Sequence, residues 1–278
     1  MNHLHMQQTD GITYKLKAPY DFSFLRRYGK VFKAFDDQDS GNIAFGVADG
    51  YARYFVKFAG SPTERAVASA EEAIVNLKRT RTVPIYQDLA HPNLVKLLGF
   101  EEIGGGFATV FAWIDAECMH AMYPESRKRF LQMDNETRLS VYDDILSFHA
   151  HVTAQGYVAI DFYDGSIMYD FTRRQTLLCD IDFYRKMPYI NQMGRMWGSS
   201  RFMSPEEFTL GADIDEITNV YTMGATAFAL FGDERDRSMA TWRMNTALFD
   251  VASKAISERR DERQPSIATL IAEWKAAR

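Results

Sequence analysis

Two aspartates, Asp161 and Asp180, each stand directly after a short apolar run, Tyr157-Val158-Ala159-Ile160 for the first and Leu177-Leu178-Cys179 for the second. One aspartate after a strand is an ordinary turn residue or helix cap. Two, 19 residues apart, make a pair of carboxylates that can hold a divalent cation and orient a hydroxyl. Lys57 lies inside Tyr54-Phe55-Val56-Lys57-Phe58, where alternation places Phe55 and Lys57 on one face and Val56 and Phe58 on the other. A lysine turned inward carries a desolvation cost unless it is paired. The following helix offers Glu71 or Glu72. Glu71, with Ile74 and Val75 three and four residues on, is expected nearer the packed face, and Glu72 points about 100° away. A cation for phosphates, acids for magnesium, a carboxylate for an attacking hydroxyl and an apolar slot for a base are the parts that phosphoryl transfer needs.

These residues have to be positioned by elements that the pattern of the chain suggests. Residues 1–20 read as a polar lead-in. Val31, Phe32 and Phe35, then Ile43, Phe45 and Val47 at period two, then Tyr54 to Phe58 predict three antiparallel strands separated by a turn cluster and by Asp49-Gly50. Pro62 suits a helix start, and Val67, Ala70, Ile74 and Leu77 recur at helical steps. Pro84 interrupts that pattern. Leu94 to Ile103 and Phe107 to Ile114 predict two further strands around a glycine triplet. Beyond Glu117 the chain reads as mainly helical, with a long amphipathic stretch from Asn135 to Gln155 that stops at Gly156. The expected fold is α+β: a five-stranded antiparallel sheet with one long helix over residues 21–114, then a mainly helical part over 115–278.

Composition sets the outer bounds. A chain of 278 residues, 46% hydrophobic, has the apolar surface for one large domain or two small lobes. A net charge of −5 argues against nucleic acid as the main partner. Cys118 and Cys179 give no disulfide framework and no metal-ligand spacing. The amino terminus carries no apolar run of signal-peptide type and no segment has the length to span a bilayer, so a cytoplasmic protein is expected.

Phe55-Val56-Lys57-Phe58 resembles the strand-three lysine motif of protein kinases. His91-Pro92-Asn93-Leu94-Val95-Lys96-Leu97-Leu98-Gly99 is similar to the segment after that family's regulatory helix, and Phe111-Ala112-Trp113-Ile114-Asp115 resembles the hinge between its two lobes, notably in small-molecule kinases of the aminoglycoside phosphotransferase type. Tyr157 to Tyr169 is similar to the catalytic loop, with Asp161 in the catalytic position and Ser166, five residues on, where the family has a metal-binding asparagine. Leu177-Leu178-Cys179-Asp180-Ile181-Asp182 resembles the strand that ends in the magnesium-binding aspartate. Asp180 has the better spacing, while Asp182 precedes Phe183 as in the family's Asp-Phe-Gly. Met203-Ser204-Pro205-Glu206 stands for Ala-Pro-Glu, Asn219 for a usual aspartate, and Arg263 for the late arginine that pairs with the motif glutamate. The matches run over about residues 28–275.

The resemblance implies a two-lobed ATP-dependent phosphotransferase using magnesium. Phe111 would guard the adenine slot, and the backbone of Ala112, Trp113 and Ile114 would meet the adenine edge. Lys57 would hold phosphates with Glu71, Asp161 would orient the acceptor hydroxyl, and Asp180 with Ser166 or Asp182 would hold the metal. The Ser-Pro-Glu motif with its arginine favours a protein serine/threonine kinase. The hinge wording pulls toward a small-molecule acceptor. Three departures from the family pattern point to a pseudokinase, a nucleotide-binding or scaffold module. The glycine-rich phosphate loop is replaced by Asp36-Asp37-Gln38-Asp39-Ser40-Gly41-Asn42, Ala159-Ile160 replaces His-Arg, and a serine stands at position 166, with Asp164 as a candidate helper for the metal. Without that arginine, no activation by loop phosphorylation is expected. Arg185, Lys186, Arg195 and Arg201 make the segment after Asp182 basic, either to attract an anionic substrate or simply to solvate a loop.

Overall fold

A computed structural model describes residues 4–38, 41–64, 69–78 and 82–278, so Asp39 and Ser40 of the acidic turn and Val67 of the helical pattern lie outside the described residues. The chain divides into two compact units, Met1–Ala90 with Val95–Asp115, and His91–Leu94 with Ala116–Arg278. Both are built from helices and antiparallel sheets. Among the described residues no helix is long and apolar enough to cross a membrane.

The first unit opens with a correction. Residues 5–16, read as part of a polar lead-in, form a hairpin of β1 (His5–Thr9) and β2 (Ile12–Leu16), turned at Asp10 and Gly11 with φ of 51° and 88°. The polar letters hid a period of two: Ile12, Tyr14 and Leu16 share one side, and Tyr14 and Leu16 are buried. They pack with Phe22 and Leu25 onto one face of a five-stranded sheet. That sheet comprises β3 (Lys30–Phe35), β4 (Asn42–Ala48), β5 (Arg53–Ala59), β6 (Leu97–Ile103) and β7 (Gly106–Ala112), in the order β3-β4-β5-β7-β6. The face under the hairpin carries Ile43, Phe45, Val56, Phe58, Ala108 and Val110. Leu16→Ala is expected to cost about 3 kcal/mol, the usual size for a buried leucine. A urea melt with an unchanged midpoint would show that the hairpin does not support the unit.

On the opposite face lie Lys57 with its register partners Ala44 and Thr109, and Phe55 with Gly46 and Phe111. The expected long helix is two short ones. Helix α1 (Ala70–Leu77) starts at Ser69, whose side chain and that of Glu72 close a capping box. Pro62 lies upstream, its carbonyl accepting the Lys17 N–H at 2.7 Å. Helix α2 (Thr82–Asp88) keeps Pro84 in its first turn, where a missing N–H costs nothing. Ala73 and Leu77 of α1 pack on Ala59 and Phe107, at the Lys57 side of the sheet.

In the second unit, β8 (Glu117–Cys118) is followed by α3 (Pro124–Leu131) and by α4 (Asn135–Ala154), which Gly156 terminates at φ 73°. Then come β9 (Tyr157–Val158), β10 (Ile167–Asp170), β11 (Gln175–Leu178), β12 (Arg185–Lys186), β13 (Tyr189–Ile190) and β14 (Asp213–Ile214). Helices α5 (Glu216–Phe231), α6 (Thr246–Ala255) and α7 (Ile267–Ala276) complete it, with Asp215, Asn245 and Ser266 as N-caps. The stretch between the two aspartates contains β10, the middle strand of the sheet β11-β10-β8. Its apolar run is too short to stand out by periodicity. His91–Leu94, counted with the first part of the chain, belongs to this unit: Leu178 N–H donates to Asn93 O at 2.6 Å, and the Asn93 amide donates to Thr176 O at 3.1 Å.

Candidate functional site

In the first unit the alternation of β5 buries Lys57, 8% exposed, on the face shared with Phe55 and Phe111. Glu71 lies in the first turn of α1 and is exposed, so the packed face of that helix is formed by Ala73, Ile74 and Leu77 instead. The expectation that Glu71 sits against it is corrected. Glu72 accepts the Ser69 N–H at 3.0 Å and so serves as the cap. Phe111 is buried against Tyr86, ring centroids 4.9 Å apart. Of the three residues expected to meet a base edge, Ala112 N–H donates to Lys96 O and Trp113 N–H to Arg53 O, both at 3.0 Å. Both N–H groups are thus engaged within the protein, and Ile114 follows them in the chain. The acidic turn is held at its start, where Asp36 accepts the Lys15 N–H at 2.7 Å.

In the second unit the hairpin of β10 and β11 gathers the acids. Its register pairs Ile167 with Leu178, so the open end carries Ser166 on one arm and Cys179-Asp180 on the other, joined by Cys179 N–H to Ser166 O at 3.0 Å. Asp161 and Asp180 both adopt the left-handed region, φ 63° and 56°. Non-glycine residues rarely do so, and such strain persists where the surroundings impose it, typically at functional sites. The two charges act on one phenol: burial first, then Asp180 and Asp161, push the Tyr163 hydroxyl far above its usual range. Tyr163 folds over Gly165, where an added Cβ would meet its ring at 2.4 Å. Gly198, at φ 139°, brings the later segment alongside, its would-be Cβ 3.6 Å from Asp161 Cα. Asp180 is exposed at the end of its strand and Asp182 is half-buried, its carbonyl accepting from Arg185 at 3.4 Å.

Asp164, a candidate helper for a metal, is spoken for. Fully buried, it accepts from Arg127 at 2.8 Å and from both terminal nitrogens of Arg201 at 3.0 and 2.9 Å. Glu234 closes the square by pairing with both arginines. Local sequence gives no sign of this four-residue network, because its members come from α3, the loop after β9, the later segment and the turn after α5. Each of the four basic residues of that segment donates to a group within the protein, and Lys186 is exposed as well. Arg201 is in the square, Arg195 donates to Met196 and Gly198 carbonyls, Arg185 to Tyr184 O, and Lys186 to Gln155 O.

Behind the loop lie two anchors, of which the Glu206–Arg263 pair was expected from its motifs. The Asn219 amide oxygen accepts the Ala159 N–H at 3.1 Å, two residues before Asp161. Arg263 grips Glu206 with two bonds of 2.7 and 3.1 Å, and Arg260, unforeseen, adds a third at 2.8 Å. Burial pushes the Glu206 carboxyl up, but the Arg263 hydrogen bond and the two guanidinium charges outweigh it and hold the group below its usual range. His149 is a core histidine bonded to Ile145 O and Tyr184, and burial lowers it to about 4.

Among the described residues no cluster of three or more His, Cys, Asp or Glu forms a ready cage for a metal. Magnesium needs less, since one or two carboxylates beside a phosphate suffice. The set at the hairpin end fits it: Asp180 with the Ser166 hydroxyl, which is buried without a hydrogen-bond partner.

Glu207, next in the chain to Glu206, yields a pH prediction. Burial raises its carboxyl from 4.5 to about 7 against the lowering hydrogen bonds from Ser204. The folded state therefore binds a proton more readily than the unfolded state, so stability is fullest below about pH 4.5 and falls as pH rises to about 7. Glu207→Gln is expected to match the wild type near pH 4.5 and to exceed it at pH 8 by up to about 3 kcal/mol. His149 acts in the opposite sense and cancels in the comparison. Equal melting of the two proteins at pH 8 would contradict the assignment. No protein-family model matches this chain and no curated protein matches its sequence; the chemistry of the site is carried by its own residues.

Proposed function

We propose that this chain is a protein-kinase-like phosphotransferase that moves the terminal phosphoryl group of ATP to a hydroxyl, most simply a serine or threonine of a protein. The supporting observation is the pair of left-handed aspartates, Asp161 and Asp180, whose charges both bear on Tyr163, with Ser166 beside Cys179-Asp180 at the open hairpin end. In this scheme the acceptor oxygen attacks the terminal phosphorus, the bond to the bridging oxygen breaks, and ADP leaves. Asp161 orients the hydroxyl and takes its proton. Asp180 and Ser166 would hold magnesium, which neutralises phosphate charge when bound. The first unit would supply Lys57 to the phosphate oxygens. Phe111 and the backbone at Ile114 bound the base. The Glu206–Arg263 pair supports a protein acceptor, and the cytoplasm, where ATP is plentiful, is the proposed setting.

A module that binds nucleotide without turnover, a pseudokinase, has one observation in its favour. At position 166 the metal is offered a single neutral hydroxyl, and Asp164 is already spent on two arginines. The first test is a thermal shift with millimolar ATP. Binding adds RT ln(1 + [L]/Kd) to stability, so a site with Kd about a hundredfold below the ATP concentration gains about 2.7 kcal/mol. The shift should need magnesium in the wild type and lose that dependence in Asp180→Asn. No shift at all would sink the proposal.

A further inference from the structure

Six aromatic rings run in a row across the Lys57 face of the first sheet. Phe32 and Trp113 stand 4.7 Å apart at their centroids, Trp113 and Phe35 6.3 Å, Phe35 and Phe55 5.4 Å, Phe55 and Phe111 6.4 Å, and Phe111 and Tyr86 4.9 Å. Phe111 and Tyr86, at one end of the row, are buried, whereas Phe32, Phe35, Phe55 and Trp113 keep part of their surface open. The rings sit directly on backbone. A Cβ on Gly46 would meet both Phe32 and Trp113 at 2.8 Å, so this position of β4 is a glycine because aromatic rings occupy the space of a side chain. Lys57 is two residues from Phe55 on the same face, and Lys33 places its ammonium 4.9 Å from the Phe35 ring. Planar surface next to cations matches a flat base with an anionic tail.

A second, independent observation concerns base edges. A site distinguishes one purine from another by hydrogen bonds to the ring edge, and it rejects a wrong edge strongly only when several such groups are aimed at it. Here the N–H groups of Ala112 and Trp113 are already bonded to Lys96 and Arg53 carbonyls. That leaves the backbone at Ile114 as the single edge contact, too few to reject a wrong purine strongly, so most of the binding comes from stacking, and every base has a π-face.

We propose that the aromatic row takes the base by stacking, so that the site accepts ATP and GTP with little discrimination. This rests on the phosphotransferase assignment, and the experiment separates the two. Isothermal titration of the full chain is run with ATP, GTP and inorganic tripolyphosphate, each with magnesium. Tripolyphosphate reports the phosphate side without a base. ATP and GTP are expected to bind within about fivefold of each other and both more tightly than tripolyphosphate. Phe55→Ala should weaken both nucleotides by about 5- to 100-fold and leave tripolyphosphate unchanged. Phe35→Ala, at a half-open ring, should weaken both in the same sense and serves if Phe55→Ala does not fold. A preference of about 50-fold or more for one purine overturns the inference, because edges are then being read. Nucleotides no tighter than tripolyphosphate, or nucleotides that bind more tightly to Phe55→Ala, also overturn it while leaving the phosphate site standing. Failure of all three ligands to bind overturns the phosphotransferase assignment along with it.

Discussion

Asp161→Asn is expected to lose phosphoryl transfer by about 10²- to 10⁴-fold, the usual contribution of a positioned proton acceptor, with nucleotide affinity unchanged. Asparagine keeps the size and hydrogen-bonding reach of the side chain, and it tolerates the left-handed backbone at φ 63°, so the loop is retained. Only the proton acceptor is removed. The measurement is turnover with labelled ATP against a mixed peptide library and against the chain itself, the mutant prepared in parallel. A mutant equal to the wild type would mean that the activity belongs to a contaminant, or that Asp161 has no catalytic part. An inactive wild type that still binds magnesium-ATP would favour the pseudokinase. The same substitution at Asp164 should act differently, since Arg127 and Arg201 each lose part of a charged partner and the loss there is one of stability as well as rate.

Glu206→Ala is expected to destabilise the second unit by about 3–5 kcal/mol, a large part of the 5–15 kcal/mol that holds an ordinary domain together. The cause is what it leaves behind. The Arg263 side chain is wholly buried and would keep an uncompensated charge. Arg260 retains Asp215 at 2.7 Å and suffers less. Replacing Glu206 and Arg263 together with apolar residues of similar volume should cost clearly less than Glu206→Ala alone, because desolvation of both charges is then avoided. Chemical melts of the single and double variants form the check. A single variant within about 0.5 kcal/mol of the wild type would show that the pair does not anchor the segment.

The Glu206–Arg263 pair was legible because each member sits in a short recognisable phrase, Met203-Ser204-Pro205-Glu206 and Arg263-Gln264-Pro265. The five central strands were legible from apolar runs between turn signals, with period-two alternation at Ile43, Phe45 and Val47 and around Lys57, whose side chain is buried. The stop of α4 at Gly156 followed from one residue type that adopts positive φ at low cost. The hairpin at residues 5–16 was missed because its outward positions are polar and outnumber Tyr14 and Leu16. The length of α1 was misjudged because Pro62 is an acceptable helix start by type, although its carbonyl is used by Lys17.

Residue types and their local order decided the five central strands, the stop of α4, and which two aspartates follow strands. Those features depend on neighbours along the chain, and periodicity encodes them. Tertiary structure alone decided that Asp164 belongs to two arginines and that aromatic rings cover the Lys57 face of the sheet. Those pairings join residues tens of positions apart. They depend on which faces the fold brings within about 3 Å for a charged hydrogen bond, or about 5 Å for two rings, distances that no spacing in the sequence records.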